Sequence, residues 1–196
     1  MSLRVAGLVA SPRKGMNTDT LVTKVLDGAQ SISARVEKIY LNDLKIMPCQ
    51  ACKKDPFPKY CYYLDGMEKI YEILSNADTI IIGSPAYFGT FSAQLKLVID
   101  RSNCLGEMIS LPSGKLTFRS RLKKTKSGIF IWVANISKNP EPALISIKIW
   151  CKFFANIELI ETMIINNSDY NDGARKRREL LSRAFQLGVS LSNIKS

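Results

Sequence analysis

Residues 11–20 (SPRKGMNTDT) bring together the groups that bind a phosphate. Arg13 can pair with a phosphate directly. Four neighbouring side chains can donate hydrogen bonds, namely Ser11, Asn17, Thr18 and Thr20. The segment is neither a Walker loop nor a Rossmann G-x-G-x-x-G turn, but amides at a helix N-terminus would face an anion here and the helix dipole would favour it. An ordinary polar loop with a helix N-cap explains the same residues, so both interpretations stay open.

Residues 83–90 (GSPAYFGT) form a second candidate site, directly after an apolar run. Tyr87 and Phe88 stand together in this segment, between a proline and a glycine. Such an aromatic pair can border a flat ring, and the amides of the loop can meet the polar edge of that ring. The alternative is that both side chains are core or surface aromatics in a turn.

The composition excludes several classes of enzyme. The chain has no histidine, which excludes Ser-His-Asp and Cys-His catalysis and every histidine-containing metal site. The net charge of +11 concentrates in residues 119–126 and 175–178. These runs suit a solvated loop and a solvated helix face, with a nucleic-acid surface as the alternative. No nucleic-acid-binding motif accompanies them, so we do not expect nucleic acid as a partner.

Strands must precede both candidate loops, and the apolar runs predict them. Five strands are predicted, at residues 3–10, 34–40, 79–83, 128–134 and 157–165. Five helices are predicted, the first capped by Asn17 or Thr18 and the others at about residues 67–75, 92–102, 142–155 and 172–192. This alternation predicts a parallel α/β sheet with helices on both faces, whose ligands bind beyond the carboxyl ends of the strands. Both candidate loops therefore belong at one edge of the sheet.

The chain is predicted to form one domain over residues 1–196, with a core drawn from a 46% hydrophobic composition. Residues 41–66 form a long irregular excursion with three of the five cysteines, and residues 103–126 are interpreted as a mobile basic connection. No apolar run approaches the roughly 20 residues that cross a bilayer, and the N-terminal residues lack the features of a signal peptide. We therefore expect a cytoplasmic protein with no membrane partner.

The two loops together resemble those of the NADPH-dependent FMN reductases. Ser-Pro-Arg-Lys-x-x-Asn-Thr resembles the FMN-phosphate loop of that family, and Ser-Pro-x-Tyr-Phe-Gly, followed by Leu-Lys and Asp-Arg, resembles its isoalloxazine loop. The resemblance implies a flavodoxin-like three-layer sandwich whose five parallel strands have the order 2-1-3-4-5. It also implies bound FMN, hydride transfer from NADPH or NADH to an acceptor such as free flavin or a quinone, and a homodimer or homotetramer.

The resemblance also assigns the cofactor-binding residues. They are Ser11, Arg13, Lys14, Asn17, Thr18 and Thr20 for the phosphate, Pro85, Ala86, Tyr87, Phe88 and Gly89 for the ring, and Asn135 beyond the fourth strand. The family often has glycines after the fourth strand, whereas residues 134–139 of this chain contain none. This difference favours one alternative, a non-enzymatic flavin-binding protein, and an iron–sulfur flavoprotein in electron transfer is the other. Because the flavin carries the redox chemistry, no catalytic side chain is expected.

The cysteines of the excursion partly resemble those of the iron–sulfur flavoproteins in the same superfamily. Cys49 and Cys52 are followed by Cys61, but Asp55 stands where that pattern would place a further cysteine. A [4Fe–4S] cluster usually takes four thiolates, so its fourth ligand would come either from Asp55, whose hard carboxylate suits a soft cluster poorly, or from a thiolate of a partner subunit. A cluster, a zinc site and a redox pair or disulfide all stay open, beside the loop without metal that we expect. Cys104 and Cys151 are most simply helix residues.

Overall fold

The computed structural model describes residues 2–52, 59–136, 139–166 and 173–193. The strands are β1 (Arg4–Val9), β2 (Arg35–Tyr40), β3 (Thr79–Tyr87), β4 (Thr90–Phe91), β5 (Gly106–Ser110), β6 (Leu116–Ser120), β7 (Lys126–Val133) and β8 (Ile157–Ile165). The α-helices are α1 (Asn17–Ser31), α2 (Met67–Asn76), α3 (Ala93–Arg101), α4 (Glu141–Trp150), α5 (Gly173–Lys176) and α6 (Arg178–Ser190). Within these ranges, no helix is long and apolar enough to cross a membrane.

The main sheet has the order β2-β1-β3-β7-β8, and every pair along this path is parallel. Its members are the five strands predicted from the sequence, so the predicted order 2-1-3-4-5 is confirmed. The short strand β4 pairs with the end of β3 in the antiparallel direction. All the loops that follow the parallel strands therefore emerge at one edge.

The core occupies both faces of this sheet. Leu8 and Ile82 belong to a cluster that includes side chains of α2, α3 and α4 on one face. Their neighbours Val9 and Ile81 belong to a second cluster, with α1 and α6, on the other face. Successive side chains of a strand point to opposite faces, so a run of apolar residues is what a doubly covered strand requires.

Residues 103–126 differ from the mobile connection that the sequence predicts. They contain a β-hairpin in which β5 and β6 are antiparallel. The hairpin is held by a distant segment, because the Phe118 ring lies 5.3 Å from the Phe154 ring and Ser120 Oγ donates to the Phe154 carbonyl at 2.6 Å. The sequence of this segment is rich in basic residues and predicts no strands. The hairpin is stabilised by contacts with Phe154, which lies more than 30 residues further along the chain.

Two helix boundaries also differ from the predictions. Helix α1 begins at Asn17 after an extended Met16, and no side chain caps it, so the predicted cap at Asn17 or Thr18 is wrong. Asn17 Oδ1 instead accepts a hydrogen bond from the Ala174 amide at 2.9 Å. The predicted last helix is divided at Arg177 into α5 and α6, and its predicted start at residue 172 lies outside the described residues.

Candidate functional site

A cavity of about 460 Å³ lies at the carboxyl edge of the sheet, between the loops that follow β1, β3 and β7. Its lining includes ten of the twelve residues predicted to bind a cofactor: Ser11, Arg13, Asn17, Thr18, Pro85, Ala86, Tyr87, Phe88, Gly89 and Asn135. The structure thus brings together residues up to 124 positions apart in the sequence, from Ser11 to Asn135. Parallel strands cause this, because they deliver their loops to the same edge.

The loop after β1 places the start of α1 against the cavity. Asn17 and Thr18 lie in the first turn of the helix and are buried. The Arg13 amide donates to Ser11 Oγ at 3.2 Å, which shapes the loop before the helix. The backbone amides at the N-terminus of α1 and the nearby guanidinium of Arg13 make this end of the cavity suitable for an anion.

Asp19 is a residue of this loop that the sequence analysis missed. Its carboxylate is buried and accepts hydrogen bonds from the Gly15 amide at 2.6 Å, Lys38 Nζ at 3.0 Å and the Tyr40 hydroxyl at 2.9 Å. Burial alone would raise the pKa of Asp19, but these hydrogen bonds and the Lys38 charge hold it below its usual value of 3.8. The carboxylate fixes the backbone of the loop at Gly15, whose φ of 73° is left-handed. An acidic residue in a first helical turn was the available signal.

Lys14 and Thr20 are the two predicted residues that do not line the cavity. Lys14 Nζ pairs with Asp43 at 2.6 Å and lies 4.7 Å from the centre of the Tyr40 ring. Thr20 Oγ1 donates to the Gly15 carbonyl at 3.3 Å and accepts from Arg175 Nε at 3.4 Å. Both side chains therefore support the loop from outside.

The loop after β3 is a tight hairpin that carries the aromatic pair to the rim of the cavity. Tyr87 pairs with Thr90, and the two residues between them, Phe88 and Gly89, have φ of 50° and 76°. Two consecutive positive φ values are typical of a type I′ turn. Tyr87 is 41% exposed and Phe88 is fully exposed. The turn thus leaves two large aromatic surfaces without cover beside the cavity.

Two buried serines fix this hairpin to the neighbouring strand. The Ser84 hydroxyl accepts from the Ser92 amide at 3.0 Å, and the Ser92 hydroxyl donates to the Ala10 carbonyl at 2.7 Å. The second bond links the segment with the aromatic pair (residues 83–90, the aromatic loop) to the end of β1, where the segment suited to an anion (residues 11–20, the anion loop) begins. The two loops are therefore held in a defined relative position.

The loop after β7 closes the third side of the cavity. Asn135 lines it, together with Val133 and Ile136, which the sequence analysis did not select. Ile136 is 87% exposed, so it offers another uncovered apolar surface. Met16 is a further lining residue that was missed. Apolar residues beside a polar motif gave no distinctive signal. Residues 137 and 138 lie outside the described part of the chain.

The residues of the cavity fit FMN. One end offers helix amides and Arg13 for a phosphate, and the other offers exposed aromatic and apolar side chains for a flat ring. The volume of about 460 Å³ lies within the roughly 300–1,000 Å³ typical of small-molecule sites. Arg13 and Tyr87 are the ionisable side chains among the described lining residues.

The fold is flavodoxin-like. An NAD(P)H:quinone oxidoreductase from Methanothermobacter marburgensis superposes with a TM-score of 0.72 and 14% identity over 100% of both chains. A flavone reductase superposes with a TM-score of 0.73 and 15% identity over 97% of this chain and 62% of its own. An archaeal flavodoxin superposes with a TM-score of 0.54. At these identities the likeness concerns the fold alone.

The chain belongs to the NADPH-dependent FMN reductase family, whose model matches residues 3–122. An iron-sulfur flavoprotein of Methanosarcina thermophila is 33% identical over 100 residues, which are 51% of this chain and 52% of that protein. An iron-sulfur flavoprotein of Methanocaldococcus jannaschii is 38% identical over 103 residues, 53% of each chain. The chain thus spans about half the length of these curated relatives.

Proposed function

We propose that the chain binds FMN in the cavity at the carboxyl edge and uses it to pass a hydride from NADPH or NADH to an electron acceptor. The observation that carries this proposal is the meeting of the anion loop and the aromatic loop on one cavity. The family that the chain belongs to supports the cofactor. The identity of the acceptor stays open, with free flavin and quinones as the candidates that the family resemblance implies.

In this proposal, the residues on each side of the cavity have a specific role in binding FMN. Arg13 and the first amides of α1 bind the phosphate, and Asp19 keeps the loop in the shape that exposes those amides. The hairpin at residues 87–90 borders the ring, and Ile136 covers it from the loop after β7. The flavin, when bound, accepts and donates the hydride. The chain binds it, orients it and limits its contact with water.

A comparison of two adjacent basic residues tests the site. Arg13→Ala is expected to weaken FMN binding by roughly 10-fold or more, because a charge-assisted pairing with the phosphate is lost. Lys14→Ala is the matched control, since its ammonium pairs with Asp43 outside the cavity, and its affinity should change less than about 3-fold. Both values come from fluorescence titration of flavin-free protein with FMN. Equal losses in the two variants would contradict the proposed phosphate position.

Anaerobic NADPH tests the reaction separately. The FMN-loaded protein is expected to lose its oxidised-flavin absorbance on addition of NADPH or NADH and to recover it with an acceptor. If FMN binds but neither nucleotide reduces it, the proposed reductase activity is wrong and the chain is a flavin-binding protein without that activity. The same sample measured by light scattering tests the homodimer or homotetramer that we also propose.

A second candidate function is electron transfer through a flavin and an iron–sulfur cluster. The observation that favours it is the set of iron-sulfur flavoproteins among the relatives, together with cysteines in the excursion. Iron and sulfide analysis of anaerobically purified protein tests it independently of FMN. Iron well below one cluster per chain after reconstitution would exclude this candidate and leave the flavin reductase unaffected.

A further inference from the structure

Four cysteines border a second cavity, which is distinct from the flavin cavity. It has a volume of about 260 Å³ and lies between the excursion and the end of α3. Its lining includes Cys49, Cys52, Cys61 and Cys104. Cys49 and Cys52 are exposed, whereas Cys61 and Cys104 are half-buried. The chain's fifth cysteine, Cys151, is buried elsewhere, in the helical turn after α4.

Cys104 reaches this cavity from a different element than the other three. It lies in the 3-10 turn Ser102–Leu105, directly after α3. Its Sγ lies 3.2 Å from the Tyr71 hydroxyl and donates to the Arg101 carbonyl at 3.3 Å. Burial raises the pKa of this thiol, so the uncharged form is favoured while no metal is bound. Nothing in the sequence spacing connects Cys104 with the excursion.

Arg101 forms a positively charged wall of the same cavity. Its side chain is 1% exposed and pairs with Asp65, while Nη2 donates to Cys61 Sγ at 3.4 Å. Its Nε is buried and has no hydrogen-bond partner among the described residues. A buried guanidinium with a donor to spare beside several thiols suits an anionic sulfur-rich group, whose sulfur atoms accept hydrogen bonds.

The cysteines of residues 41–66 supply one thiolate fewer than a [4Fe–4S] cluster usually takes. Cys49, Cys52 and Cys61 supply three, whereas a cubane cluster usually takes four. Asp55 lies outside the described residues, and its hard carboxylate is poorly matched to a soft cluster. Cys104 is a thiol at the same cavity and supplies the missing ligand type. The residues present therefore fit a cluster.

A site for a single metal ion requires a different arrangement of ligands from a site for a cluster. In the ranges that the structure describes, no group of three Cys, Asp or Glu side chains is close enough to hold one metal ion. A cluster makes a different demand, because each thiolate binds its own iron atom and the thiolates remain apart. Thiols spread around a cavity match this demand better than they match one zinc ion.

We propose that Cys104 completes, with Cys49, Cys52 and Cys61, the ligand set of a [4Fe–4S] cluster. The proposal rests on the second candidate function given above. Each thiol releases its proton to solvent as its sulfur bonds to an iron atom. Equal amounts of ferrous and ferric iron combine with sulfide to give the oxidised core, so no further oxidant is needed.

The test is anaerobic reconstitution of the full chain with ferrous and ferric iron and sulfide. Iron and sulfide per chain and the electron paramagnetic resonance spectrum after reduction are compared among the native chain, Cys104→Ala and Cys104→Ser. The native chain is expected to take up about four irons, and both variants are expected to lose roughly two-fold or more of this iron and to change the spectrum. Cys151→Ala is the matched control and should retain the native values.

Several outcomes would overturn the proposal. Native iron content and an unchanged spectrum in both Cys104 variants would place the fourth ligand elsewhere. If the native chain takes up no iron but still binds FMN, the cluster proposal is refuted and the proposed FMN site is unaffected. Loss of two titratable thiols on air oxidation, prevented by Cys104→Ser and accompanied by no iron uptake, would show a disulfide in its place. FMN affinity and circular dichroism of each variant report whether it is folded.

Discussion

At the residue scale, the anion loop depends on a carboxylate that cannot itself bind an anion. Asp19 holds the Gly15 amide and is balanced by Lys38, whose ammonium lies 3.0 Å away. The negative charge therefore acts on the backbone and not on the phosphate. The loop keeps its net attraction for an anion through Arg13 and the helix N-terminus.

Replacement of Asp19 by Asn tests this role. Asn keeps the shape but loses the charge-assisted hydrogen bonds, so the free energy of unfolding is expected to fall by roughly 1–3 kcal/mol near pH 7, with weaker FMN binding. The folded pKa lies below 3.8, so the contribution of Asp19 is fully present above that pH and is lost as the pH falls through the folded pKa. Urea denaturation should therefore show the native chain and the variant converging in acid.

The control for this experiment is Asp27→Asn on the same helix. Asp27 pairs with Lys24 at the surface, where both side chains are about 40% exposed, so its loss should change stability by less than about 0.5 kcal/mol. A stability difference for Asp19→Asn that stays constant from neutral to acidic pH would argue against a charged carboxylate in the loop.

At the element scale, the position of α1 depends on its contact with α6. Gly28 of α1 faces Gly188 of α6, and a Cβ built on Gly188 would lie 2.0 Å from the Val25 carbonyl oxygen and 2.7 Å from the Ala29 amide. Backbone atoms cannot move aside as a flexible side chain can. The two glycines thus allow α1 and α6 to pack closely. This packing helps to position α1, whose N-terminus lies at the cavity.

Gly188→Ala is expected to destabilise the protein. Alanine is favoured over glycine within a helix by about 1 kcal/mol, but the overlap with α1 should outweigh this gain and give a net loss of roughly 1–3 kcal/mol. Thermal or urea unfolding measures the change. Gln186→Ala, on an exposed position of the same helix, is the control and should be close to neutral. A stabilised Gly188→Ala variant would mean that the helices do not pack this closely.

At the scale of the whole molecule, the cavity and a destabilising buried charge lie at opposite ends of the sheet. The cavity lies beyond Val133 at the carboxyl end of β7, whereas Lys126 begins that strand. Lys126 is 1% exposed and its ammonium donates to the Lys124 carbonyl at 2.7 Å. Burial, with repulsion from Lys124, lowers the pKa of Lys126 from 10.5 to about 8.

Lys126→Met is expected to stabilise the fold without changing the FMN site. Because the unfolded chain holds the proton more tightly, the buried charge lowers stability below about pH 8, and this cost fades as the pH rises towards 10.5. The free energy of unfolding should rise by roughly 1–3 kcal/mol at neutral pH and by less in alkali. Urea denaturation at several pH values measures this, with exposed Lys123→Met as the control. A gain independent of pH, or an altered FMN affinity, would contradict the explanation.

The sequence by itself determined the sheet and the edge where its loops meet. Unbroken apolar runs such as the one ending at Val9 specify strands that are buried on both faces, and alternation with helices specifies parallel pairing. Given these constraints, Ser11, Tyr87 and Asn135 had to come to one edge, although they are distant along the chain.

Only the tertiary structure decided which side chains at that edge serve the cavity and which serve its support. Lys14 is turned away by Asp43, and the buried position of Asp19 depends on side chains of β2. The hairpin of β5 and β6 depends on Phe154, and the place of Cys104 beside the other thiols depends on how α3 meets the excursion. Local patterns determine elements, but these choices are set by contacts between residues far apart in sequence, which periodicity and spacing do not encode.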